Sequence, residues 1–184
     1  LPSGRAIGNC IHKILELADF TDPATVAAHV TSELTNFAVD LLHAPALNSA
    51  LQALLATPLD ASGLKLAELA PSRRLPEMNF VFPVAGGYAP GDAQFTHRNL
   101  IKTFRTYGQP ALESWLTRFE TVAFSSVRGF LSGSLDLAFQ SPHDGRWYIV
   151  DWKSNHLGRS ARDYSPKKLR EAMDHHHYHL QYHL

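Results

Sequence analysis

The feature that most constrains this chain is a pair of β-rich runs, each carrying a carboxylate among apolar side chains. Residues 127–139 read VRGFLSGSLDLAF and residues 146–154 read RWYIVDWKS, with turn-forming residues at 142–145 between them. Aliphatic and aromatic runs on either side of a short Pro/Gly segment are the pattern of a β-hairpin. Leu131, Leu135 and Leu137 in the first run, and Tyr148, Ile149, Val150 and Trp152 in the second, predict two buried strands. Asp136 and Asp151 fall inside these stretches. An unpaired carboxylate in a low-dielectric setting costs roughly several kcal/mol, so two side by side need a cation, a proton or an ammonium. A strand repeats every two residues, which predicts Asp151 and Lys153 on one face and Val150 and Trp152 on the other; a hairpin can bring Asp136 beside them. Two readings stay open: ordinary ion pairs with Lys153 and a nearby arginine, or a bound divalent metal, which answers adjacent carboxylates better.

The first third is predicted to be helical. Ile7, Ile11, Ile14, Leu15 and Ala18 recur at helical spacing over residues 5–18, with His12 beside the stripe. Asp22 before Pro23 reads as an N-cap with proline at the first helical position, and that helix is expected to run to about Leu42. A third helix is expected from Pro45 to about Ala56, and a short helical stretch near 66–69. Alternation over Glu77 to Phe82 predicts a strand, Gly and Pro at 85–92 predict a loop, and helices are expected near 95–107, 111–119 and 166–184. Trp115, Trp147 and Trp152 are expected in the core.

With 45% hydrophobic residues the chain can bury a core unaided, and it has no apolar run of the roughly 18 residues a membrane span needs. Cys10 is the sole cysteine, which excludes an internal disulfide and a Cys-based cluster and fits a reducing compartment, the cytoplasm. The formal charge of zero hides an asymmetry: three Lys/Arg against seven Asp/Glu before residue 73, and fourteen against ten from residue 73 onward. Residues 146–170 hold seven basic and two acidic residues, an excess suited to a polyanion or simply to a solvated face. With no initiator Met and a mid-helix ending, the chain is expected to be a fragment of a longer protein.

The strings GFLSGSLDLAF, YIVDWKSNHLG and HHHYHLQYHL, with Tyr164 between the last two, resemble the RecB-type nuclease domain of bacterial exonuclease V, a PD-(D/E)XK nuclease. GNCIHKILE resembles that family's G-x-x-x-H helix, and PEMNFVFPV its Glu-containing strand. The matches keep the family's order over nearly the whole chain. The resemblance implies an α/β (α+β-like) fold, a mixed β-sheet flanked by helices, in one domain over residues 1–184 whose C-terminal helix is cut short. It implies His12, Asp136, Asp151 and the carbonyl of Trp152 as metal ligands, and Asp136, Asp151 and Lys153 as the catalytic set. Glu77 and Gln181 match further family positions, and the Tyr the family carries four residues after the Gln falls beyond Leu184.

The activity so implied is Mg²⁺-dependent DNA cleavage, exonucleolytic and endonucleolytic on single strands, in a helicase-nuclease that processes double-strand ends for recombinational repair. Mn²⁺ is expected to replace Mg²⁺, and Ca²⁺ to bind with little turnover. Implied partners are single-stranded DNA and duplex ends, RecC-like and RecD-like subunits and a RecA-type recombinase, with no membrane. The alternative is an inactive DNA-handling or partner-docking module of the same fold. A third reading comes from His175, His179 and His183, whose i, i+4 spacing can chelate zinc on one helix face; adventitious metal capture explains it more simply. Tyr164 and Tyr178 could stack on bases.

Overall fold

Ile7, Ile14 and Leu15 do share one buried face, and Arg5–Leu17 forms helix α1. The computed structural model describes residues 1–84, 96–108, 112–122 and 129–180. These divide between two compact units, one of Leu1–Phe80 with Gly133–Asn155 and one of Val81–Ser132 with His156–Leu184. The class is the α/β (α+β-like) one read from the sequence, with a helical N-terminal third and a sheet.

In the first unit α1 is followed by α2 (Pro23–Asn36), where the Asp22 side chain accepts the Ala24 N–H at 2.9 Å as the N-cap. This helix stops six residues short of the expected Leu42. Ala38 takes φ 53°, its N–H reaches the Thr35 carbonyl, and the Val39 N–H reaches the Leu34 carbonyl at 2.8 Å. That pairing is a Schellman motif, which satisfies the last carbonyls and ends the helix. Asp40 then caps a 3₁₀ turn at Leu41–His43, and α3 spans Ala44–Ala56. Val26, Val30, Leu34, Leu47, Leu51 and Leu55 pack with the α1 stripe into one core.

Strands β1 (Arg74–Pro83), β2 (Phe130–Gln140) and β3 (Trp147–Val150) form a sheet in that order. The hairpin is antiparallel, with Leu137 opposite Val150 and Gln140 opposite Trp147. Leu137, Phe139, Tyr148 and Val150 face the helical core, and the Phe139 and Tyr148 rings stack at 5.3 Å. The opposite face of β3 is open, because Ile149 is 64% and Trp147 59% exposed. Both strands were expected to be buried and Trp147 to be core; β3 is instead an edge strand covered on one side. Arg74, at the start of β1, donates to the Ala18 carbonyl at 3.1 Å and lies 3.9 Å over the Phe20 ring. It thereby ties β1 to the C-terminal end of α1.

In the second unit α4 (His97–Tyr107) and α5 (Glu113–Phe119) bury Leu100, Ile101, Phe104, Leu116 and the fully enclosed Trp115. Helix α6 (Pro166–His175) follows a 3₁₀ turn at Ala161–Tyr164. The helix expected to run on through the histidines stops at His175, since His177 takes φ 54°. The His175/His179 pair therefore does not share a helix face. His179 pairs with Asp174 at 2.9 Å, and His177 accepts the Trp115 indole N–H at 3.1 Å. His183 and the expected loop at 85–92 lie outside the described residues. Among the described residues no helix is long and apolar enough to cross a membrane.

Candidate metal centre

Three elements of the first unit bring His12, Glu77 and Asp136 together. His12 lies on α1 one turn after Gly8, where a Cβ would stand 2.8 Å from Ser154 Oγ. The absent side chain lets the helix approach the segment after β3. Glu77 lies on β1 and Asp136 on β2, neighbours in the sheet. One ligand atom from each of the three residues lies within 4.8 Å of the others, and His12 Nδ1 is 3.7 Å from Asp136 Oδ2. The Asp136 side chain is 15% exposed and that of His12 32%.

Each carboxylate is held by a neighbour. The Trp152 backbone N–H donates to Asp136 Oδ2 at 2.6 Å, and the Ser134 hydroxyl donates to Glu77 Oε2 at 2.9 Å. Lys13 stands nearby: its hydrogen bond to Glu16 at 2.8 Å and the charges of Glu16, Glu33 and Glu77 raise its pKa above the ordinary lysine range. Asp151 and Lys153 form an ion pair with each other.

The two residues were expected side by side on a strand face, but β3 ends at Val150. The next pair in register would be Asp136 with Asp151, and there the Trp152 N–H turns to the Asp136 side chain. The ladder gives way to a side-chain bond, and Asp151, Trp152 and Lys153 continue as irregular backbone. Trp152 packs its ring against the first core.

The donor set suits a divalent cation. Two carboxylates about 5 Å apart repel by roughly 3 kcal/mol at an effective dielectric of about 20, and a cation reverses the sign of that term. Oxygens bound at about 2.1 Å to an octahedral Mg²⁺ stand about 3 Å apart at right angles and about 4 Å across the ion, close to the spread of this cluster. An imidazole with carboxylates fits Mg²⁺ or Mn²⁺ and leaves coordination positions for water.

The remaining expected residues fall elsewhere. Tyr164 Oη accepts the Leu157 N–H at 3.2 Å, and the Tyr178 ring stacks on His176 at 5.2 Å; all four residues belong to the second unit. Gln181 lies outside the described residues. Glu77, matched in sequence only to a further family position, stands in the cluster itself. Ser134 was missed, and its signal was its place two residues before Asp136, on the same face of a strand. By sequence the first unit has seven basic and eleven acidic residues, and the second ten basic and six acidic.

No family model matches the chain. RecBCD enzyme subunit RecB of Mycobacterium tuberculosis H37Rv is 34% identical over 194 residues, covering 98% of the chain and 18% of the relative. The subunit of Escherichia coli K12 is 32% identical over 185 residues, covering 100% and 14%. The chain is homologous to one region of RecB. The Haemophilus influenzae RecB subunit agrees, at 30% identity over 184 residues and 99% of the chain. The chain thus spans less than a fifth of the length of these RecB relatives. The alignments run through α1, the sheet and the segment after β3, so all residues of the candidate centre fall within the RecB-related stretch.

Proposed function

We propose that the chain is a Mg²⁺-dependent deoxyribonuclease domain of the exonuclease V type, acting as exonuclease and single-strand endonuclease within a helicase-nuclease that processes double-strand DNA ends for recombinational repair. The observation that carries this reading is the convergence of His12, Glu77 and Asp136 from α1, β1 and β2, in a chain homologous to a region of RecB. RecC-like and RecD-like subunits, and a RecA-type recombinase, are the partners of the full-length protein, in the bacterial cytoplasm.

In this reading His12, Glu77 and Asp136 hold the ion, with Asp151 and the Trp152 carbonyl as the further ligands the family resemblance implies. When bound, the ion supplies Lewis-acid polarisation of a phosphoryl oxygen and a water of lowered pKa. The chain's own residues do the rest. The Trp152 N–H holds Asp136 through Oδ2, the same oxygen that stands 3.7 Å from His12 Nδ1, and so fixes the carboxylate beside the imidazole. Asp151 orients Lys153, whose ammonium stabilises the charge that grows on the phosphoryl oxygens and holds the attacking water. The basic excess of the second unit gives sequence-independent attraction to the strand.

The test is cleavage. Labelled single-stranded DNA incubated with the chain and Mg²⁺ is expected to be cut, with Mn²⁺ supporting the reaction, Ca²⁺ supporting little and excess EDTA stopping it. Full activity in EDTA, or none with any divalent ion, contradicts the proposal.

A further inference from the structure

Glu77 reaches the centre from an unusual backbone. Its φ of 47° is left-handed, a conformation that a residue with a Cβ adopts rarely and at a cost. Inside a strand such a residue breaks the regular alternation and re-aims its side chain, as β-bulges do. Strain of this kind persists only where the surroundings over-determine it. On the neighbouring strand, Ser134 and Asp136 share a face. Ser134 has one hydroxyl proton, and it is given to Glu77 Oε2 at 2.9 Å, which leaves Oε1 free of that bond. Ser134 itself is exposed, and a Cβ at the adjoining Gly133 would stand 2.6 Å from the Phe80 ring, so the aromatic three residues after Glu77 packs directly on this stretch of β2.

We infer that Ser134 is a positioning residue: its hydroxyl holds the Glu77 carboxylate, at a left-handed position within strand β1, where it joins His12 and Asp136 on a divalent ion. The inference rests on the metal-binding reading of the centre. Residues that orient metal ligands typically account for about 10- to 100-fold in metal affinity. An exposed bond belongs at the lower end. Glu77→Gly carries a second signature, since glycine takes positive φ freely: the metal-free chain gains stability as the ion is lost.

The test is calorimetric titration of Mn²⁺ alone into the metal-free chain. Ser134→Ala is expected to weaken Mn²⁺ binding about tenfold. Ser134→Thr and Ser134→Val both suit a strand and differ in the hydroxyl; Thr should bind as the wild type does and Val as Ala does, which decides the matter even if the Ala variant folds poorly. In a Glu77→Gln background Ser134→Ala should change nothing further, because Ser134 acts through that carboxylate. Metal-free Glu77→Gly should unfold at a higher temperature than wild type. Wild-type affinity in both Ser134→Ala and Ser134→Val overturns the role of Ser134 and leaves the centre standing. An equal loss with and without the Glu77 carboxylate also overturns it. If the wild type binds no Mn²⁺, the centre and the inference fall together.

Discussion

Asp136→Ala is expected to abolish both DNA cleavage and Mn²⁺ binding while the chain stays folded. Asp136 has two contacts: it stands 3.7 Å from His12, where the proposed function makes it a ligand, and it accepts the Trp152 N–H at 2.6 Å. Losing the second leaves a partly buried N–H without that acceptor, at a cost of about 1–3 kcal/mol. Against this, Glu77 loses a like-charged neighbour, which relieves the metal-free state. The net change in stability is therefore small, whereas cleavage should fall at least about 10³-fold, since the catalytic ion supplies several kcal/mol of transition-state stabilisation. Cleavage rate, Mn²⁺ calorimetry and thermal unfolding measured together check this. Wild-type cleavage by the variant moves the active site elsewhere.

Lys153→Ala separates a nuclease from an inactive docking module. The ion pair with Asp151 is what both readings predict, so the geometry alone favours neither. If the ammonium acts on the transition state, turnover should fall roughly 10²- to 10⁴-fold with Mn²⁺ affinity retained, because Lys is not a ligand. Lys153→Arg should restore only part of it, since the guanidinium is planar, bulkier and does not deprotonate. Unchanged turnover, or loss of the fold, makes Lys153 a structural partner of Asp151 and removes the chemistry from this reading.

Local pattern carried far along this chain, and it failed where a residue other than glycine turned left-handed or a distant side chain replaced a ladder bond. The stripe of Ile7, Ile14 and Leu15, the Asp22–Pro23 helix start and the hairpin around 142–145 are all visible as spacing and turn chemistry. The end of α2 was hidden because its left-handed residue is Ala38, where glycine is the usual signal. The end of β3 was hidden because the Trp152 N–H bonds to an Asp136 carboxylate sixteen residues earlier, a contact that no periodicity reports. His12 and Asp136 were legible through motif resemblance. Glu77 was legible as a strand residue, but its placement depends on a left-handed φ and on Ser134 across the sheet, and neither leaves a mark in a single sequence.

The most direct test of the centre is to grow crystals of the chain with Mn²⁺ and collect diffraction at the manganese edge. The account predicts an anomalous peak bonded to a His12 ring nitrogen and to carboxylate oxygens of Glu77 and Asp136, with Asp151 or waters completing the shell. A well-ordered centre with no peak, or manganese bound at the C-terminal histidines and not at these residues, would contradict it.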